Sequence, residues 1–242
     1  MRYFIQLSYK GTNYSGFQVQ DNANSIQAEV EKALKIFFRQ PFQLTCSSRT
    51  DAGVHALENY FHFDTIEPLA LQKAIMGLNA ILPEDIVIKN IYLVADDAHS
   101  RFDPVSRTYQ YYIYQSKNPF LQDRAFFYPY KIDIDLLQQA AAEIINFTDF
   151  TSFSKRNTQV KTFLCSIYES GWFTENACIV YKVRGNRFLR GMVRGLVGTM
   201  LLVGRGKLSL ADFKAVIEAK DCTKADFSVP PQGLFLVNVA FE

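Results

Sequence analysis

The chain of 242 residues has no C-x-x-C pair, no long apolar run and a net charge of only +2, and each absence removes a class of protein. Its four cysteines, Cys46, Cys165, Cys178 and Cys222, are scattered without the spacing of a zinc site or redox pair, so they read as buried thiols. Of the three histidines, His62 lies two positions before Asp64 with His55 upstream, but a third ligand is missing and no metal is expected. No apolar stretch approaches membrane-spanning length, and the opening MRYFIQLSYK is broken by Gln6 and Lys10 before a signal core develops. No membrane role is expected, and the cytoplasm is the expected location. The chain also lacks a Walker loop, a G-x-G-x-x-G after a strand and a G-x-S-x-G elbow, which removes the commoner nucleotide-dependent and hydrolase classes; no cofactor is expected.

What is present is an ordinary globular composition, 48% hydrophobic, with charge unevenly distributed. From Tyr181 to Lys207 seven basic residues (Lys182, Arg184, Arg187, Arg190, Arg194, Arg205 and Lys207) occur without one acid, which makes that segment a local positive field. Arg187, Arg190 and Arg194, three and four apart, would share a face of a long helix over 187–203, with RNA phosphates or a carboxylate as the anion they meet. Tyr3, Ile5, Leu7 and Tyr9 alternate as on a strand, and a helix capped by Asn24 or Ser25 follows. Strands at 43–46, 59–64 and 85–95 flank a helix at 69–82. From Arg107 the pattern restarts, with a helix at 132–147, a hairpin from 161–170 and 178–184, and a closing strand over 233–242. Each half reads β-α-β-β-α-β. The expected class is α+β: two fused ferredoxin-like halves, 1–104 and 105–242, around a mixed, mainly antiparallel sheet with a central cleft.

Two stretches invite chemistry. In SSRTDAGVHA, Asp51 is either the acid of a turn, with Gly53 free to take positive φ, or a working carboxylate among residues small enough to admit a ligand. The strand RTYQYYIY places Tyr109 and Tyr111 on one face and Tyr112 and Tyr114 on the other; such rings either fill the core or stack on a nucleobase.

Taken together these motifs resemble the tRNA pseudouridine synthases of the TruA type. Arg49 to Ala56 match the family's G-R-T-D-A-G-V-H-A with Ser48 in place of the leading glycine. SIQAEVEKAL, NAILPEDIVI, HSRF, RTYQYYIY, DFTSFSK, RFLRGMVRGLVGTM and PPQGLFL follow in the family's order, so the likeness spans 2–242. The resemblance implies two α+β halves related by a pseudo-twofold, Asp51 as the catalytic carboxylate, Arg194 as its basic partner, and Tyr109 as the ring against the target uracil. It also implies Arg49 as the arginine that displaces the base, and Arg101, in the HSRF box, as an RNA contact. The positive segment adds Arg187, Arg190 and Arg205 as RNA contacts. The implied substrate is the tRNA anticodon stem-loop, at positions 38, 39 and 40, and the implied assembly a homodimer. The chain departs from the family at Lys10, Phe17 and Val19, where an acid, a tryptophan and an arginine are usual, a change expected to bear on how the first loop meets RNA. The rival readings are a non-catalytic RNA-binding plait, and a small-molecule hydrolase built on Asp51 and His55.

Overall fold

The computed structural model of the chain describes residues 1–156 and 160–241. Two compact units emerge, Met1–Val105 with Phe235–Glu242, and Ser106–Leu234. Glu242, the end of the strand predicted over 233–242, lies outside the described residues.

The first unit runs β1 (Arg2–Tyr9), α1 (Ile26–Phe38), β2 (Thr45–Cys46), β3 (His55–Asp64), α2 (Ala74–Ile81) and β4 (Ile86–Val94). β1 lies between β3 and β4, antiparallel to both, and β2 pairs with β3. This is the β-α-β-β-α-β plait the sequence pattern predicts. Tyr3, Ile5, Leu7 and Tyr9 are buried as the alternation requires. Phe4 is buried as well, because Tyr60, Tyr92 and Phe241 surround its ring on the other face. Ser25 is the residue that caps α1, its hydroxyl accepting from the Ala28 N–H at 3.2 Å. α2 begins five residues later than the apolar spacing suggests: Lys73 sits at φ 62, and the Ala74 N–H closes a turn on the Leu71 carbonyl. It ends at Leu82, held extended before Pro83.

The second unit runs β5 (Ser106–Tyr114), β6 (Phe126–Phe127), α3 (Ile134–Ile144), β7 (Ile167–Glu175), β8 (Cys178–Gly185), α4 (Met192–Gly204) and α5 (Leu210–Glu218). β8 lies between β5 and β7, antiparallel to both, and β6 adds a short parallel pairing to β5. The expected hairpin forms with its first strand shifted to Ile167–Glu175 from the predicted 161–170, and it turns through Asn176 and Ala177, both at positive φ. α5 escaped the sequence reading although its signals are present: the Ser209 hydroxyl accepts from the Asp212 N–H at 3.1 Å, and Phe213 and Ile217 are buried one turn apart. β9 (Leu234–Ala240) then pairs in parallel with β3, Phe235 opposite His55 and Leu236 opposite Ala56, so the final strand belongs with the first unit. Cys46, Cys165 and Cys178 are buried thiols, whereas Cys222 is partly exposed.

One expectation about α4 is corrected. The helix starts at Met192, because Gly191 takes φ 76 and the Met192 N–H turns back to the Leu189 carbonyl. Arg187 and Arg190 therefore lie in the approach to the helix, and only Arg194 is on it. The three arginines do not share a helical face.

His62, on β3, is buried; its Nδ1 accepts from the Ser100 amide at 3.2 Å and lies 2.8 Å from the Ser100 hydroxyl. Burial first, and then the charges of Arg2 and His99, bring its pKa from 6.5 down to about 4, against the weaker pull of Asp64 and Asp103. The unfolded chain binds this proton near pH 6.5 and the folded chain only near 4, so protonation favours unfolding across that window. Urea midpoints should fall progressively as pH is lowered from about 6.5 to about 4, and His62→Gln should remove most of that slope. An unchanged slope in the variant would assign the effect to another group.

Candidate active site

Asp51 stands half-buried in a turn closed by the Val54 N–H on its own carbonyl at 3.2 Å, with Gly53 at φ 76. The turn chemistry seen in the sequence is therefore real, and backbone groups close it. Its two ends are gripped by the loop after β1. At one end the Gly11 N–H donates to His55 Nδ1 at 3.1 Å, and a Cβ on Gly11 would come within 2.0 Å of the Val54 oxygen. At the other the Phe17 N–H donates to the Thr50 carbonyl at 3.1 Å, with Gly16 at φ 111 pressed against the same carbonyl. Two glycines thus let one loop lie backbone to backbone on the Asp51 turn. Phe17 is fully buried, stacked on Phe61 at 4.7 Å and tilted against Tyr9 at 5.5 Å. It anchors the loop to the core rather than offering a side chain to RNA.

Beneath the turn lies a residue that no motif flagged. Asn59, on β3, is completely buried. Its Nδ2 donates to the Ser48 carbonyl at 2.9 Å and to the Tyr9 hydroxyl at 3.2 Å, while Oδ1 accepts from the amides of Ser48 at 3.3 Å and Tyr60 at 2.9 Å. The Tyr9 and Thr50 hydroxyls, 2.8 Å apart, extend the network to the residue before Asp51. One amide uses its whole bonding capacity to fix the chain entering the turn. An Asn among the aromatic residues of this strand was the available signal, since a buried amide has to find partners.

His55 is buried too, with Nδ1 accepting from Gly11 and its ring 4.5 Å from Phe235. Asp51 and His55 lie on a turn and a strand and not on the helix that would put residues four apart on one face, the placement the hydrolase reading needs. Arg49 and Arg101 are exposed and both act on the Cys46 thiol, whose pKa burial raises and the two guanidinium groups oppose. Arg49, two residues before Asp51, and Arg101 thus both lie near Cys46.

In the second unit Tyr109 is half-buried on β5, its ring edge-on to Phe188 at 5.0 Å. Tyr111 is core, donating its hydroxyl to the Pro230 carbonyl at 2.7 Å, and Tyr114 packs with Ala125, Cys178 and Val180. Arg194 Nε donates to the Val229 carbonyl at 2.8 Å. The positive field is smaller than the sequence suggests. Glu169, on β7, pairs with Lys182 at 2.8 Å and lies 3.8 Å from Arg184. Arg205 sits past the far end of α4, about 20 Å of helix from Arg190, with its guanidinium 3.9 Å from the Tyr130 ring centre. Arg187 and Arg190 remain at the N-terminal end of α4, where the stem of Lys155 lies within about 3 Å of a Cβ placed on Gly191, and where the helix dipole also favours an anion.

The model of the tRNA pseudouridine synthase family matches residues 6–103 and 140–242. The chain belongs to that family, isomerases that convert uridine to pseudouridine in tRNA. Among relatives, it is 45% identical over 241 residues to tRNA pseudouridine synthase A of Parabacteroides distasonis, covering 99% of this chain and 96% of that one. The enzyme of the same name from Bacteroides fragilis is 45% identical over 242 residues, with 99% and 96% covered. That of Staphylococcus aureus is 35% identical over 244 residues, with 100% and 91% covered. No helix among the described residues is long and apolar enough to cross a membrane.

Asn59→Ala removes four hydrogen bonds and leaves the Ser48 backbone groups unsatisfied. It should cost about 1–3 kcal/mol of stability in urea unfolding, and lower turnover far more than tRNA affinity. A variant as active as the parent would show that the turn holds its shape without this amide.

Proposed function

We propose that this chain forms pseudouridine in the anticodon stem-loop of tRNA, with Asp51 as the essential carboxylate. The observation that supports it most is the clamped Asp51 turn: backbone amides of the first loop fix both ends, one on the His55 ring and one on the Thr50 carbonyl, as a preorganised catalytic group requires and a solvent turn does not. In the reaction the N1–C1′ bond breaks, the freed uracil turns, and C5 bonds to C1′. C5 gives up its proton and N1 regains one, so no electrons are exchanged. Attack at C1′, addition to the ring and removal of a sugar proton all call on the same side chain as a carboxylate.

Each remaining residue has a role in this reading. Arg194 orients Asp51 through charge-assisted hydrogen bonds. Tyr109 forms the aromatic wall that keeps the detached uracil in place, and its hydroxyl takes part in proton transfer. Arg49 enters the RNA as the target base leaves the stack. Arg101, Arg187 and Arg190 meet phosphates, with Arg205 as a more distant contact. Two copies of the chain hold one tRNA, which light scattering at micromolar concentration tests directly: a monomer mass removes that part of the reading.

Asp51→Asn keeps the turn-forming habit and size but not the carboxylate. It should abolish tritium release from tRNA labelled at uridine C5 and leave tRNA affinity within a few-fold. Release at the parental rate would return the chain to a non-catalytic RNA-binding plait. Arg190→Ala should lower the slope of log affinity against log salt by about one; an unchanged slope would remove Arg190 from the interface.

A further inference from the structure

The segment 99–103 is tied into a knot and then fastened to the sheet. The amides of Phe102 and Asp103 donate to the His99 carbonyl at 3.1 and 3.0 Å. The His99 amide donates to the Asp103 carboxylate at 2.5 Å, and the Arg101 amide to His99 Nδ1 at 3.1 Å. Ser100, fully buried, holds the knot down: its hydroxyl donates to the Thr45 carbonyl at 3.0 Å and its amide to His62 Nδ1 at 3.2 Å. Such fixing is what core residues receive, yet the side chain it presents is Phe102, 72% exposed.

The ring's neighbours indicate what it faces. The Arg101 guanidinium lies 5.6 Å from its centre, and the His99 ring 4.3 Å away at 35°, itself edge-on to His62 at 4.6 Å. Arg101 and Arg49 both act on Cys46, so the ring shares its surroundings with the arginine two positions before Asp51. An apolar protein partner would want a continuous apolar patch, and this ring is bordered by the Arg101 guanidinium, the His99 ring and the Asp103 carboxylate. A planar π-face beside a guanidinium suits a nucleobase whose phosphate is an anion within reach of it.

We propose that Phe102 is a base-stacking platform for the tRNA substrate: an unpaired base lies on its exposed face while Arg101 takes the adjoining phosphate. The inference rests on the tRNA-modifying reading of the same neighbourhood. A rigidly held ring gives stacking without the entropic cost of ordering a mobile one, which accounts for a buried serine and four backbone bonds spent on an exposed residue.

The test is binding of an unmodified anticodon stem-loop RNA, followed by anisotropy across a salt series, together with C5 tritium release from labelled tRNA. Phe102→Ala should keep the parental urea midpoint, since the ring is exposed, and bind roughly tenfold more weakly with an unchanged salt slope, because a stack and no charge is lost. Arg101→Ala should lower the slope by about one. Phe102→Trp should bind at least as tightly as the parent, and its added fluorescence should be quenched by RNA. Parental affinity in Phe102→Ala, or no quenching in Phe102→Trp, overturns the platform while the synthase reading stands. A parent chain that neither binds the RNA nor releases tritium overturns both.

Discussion

The structure around Asp51 depends on one buried amide and the strand that carries it. Asn59 ties the chain entering the turn to Tyr9, and through the Tyr9 hydroxyl to Thr50. Buried polar groups are costly unless fully paired, so the network tolerates few arrangements, and that intolerance is what makes it a positioning device. The first loop completes the fixing from above. Gly11 and Gly16 bring it into backbone contact with the turn, and the buried ring of Phe17 holds it there.

β3 serves the site on both faces. His55, Asn59, Phe61 and Phe63 point to one side, where they support the Asp51 turn and pack on Phe17 and Phe42. Tyr60 and His62 point to the other, against Phe4 and the knot that carries Arg101 and Phe102. The pairing with β1 is irregular between Leu7 and Tyr9, which stand opposite Asn59 and Ala56. That shift lies where the Tyr9 hydroxyl meets the Asn59 amide, so the irregular pairing coincides with the polar network instead of with apolar packing.

Charge in the second unit teaches a different lesson. An acid-free run of sequence is not an acid-free surface, because a neighbouring strand supplies Glu169 opposite Arg184 and beside Lys182. Nor is regular spacing a shared face when a glycine at positive φ delays the start of the helix until inside the run, as Gly191 does. Arg187 and Arg190 stand at the N-terminal end of α4, where Lys155 reaches across Gly191 and its amide bonds the Arg190 carbonyl.

The sequence by itself determined the α+β class, the plait of the first unit, the hairpin and the family, because period, caps and a long motif are local properties of the chain. It also singled out Asp51, since a run of small residues about one acid is visible without coordinates. Tertiary structure alone decided that Phe17 is an anchor, that Tyr111 and Tyr114 are core while Tyr109 is half-exposed, that Asn59 fixes the turn, and that Phe102 is exposed on a hydrogen-bonded turn. Each of these depends on which residues from distant positions arrive beside it. Burial and hydrogen-bond partnership are relations between segments, and a single segment does not contain them.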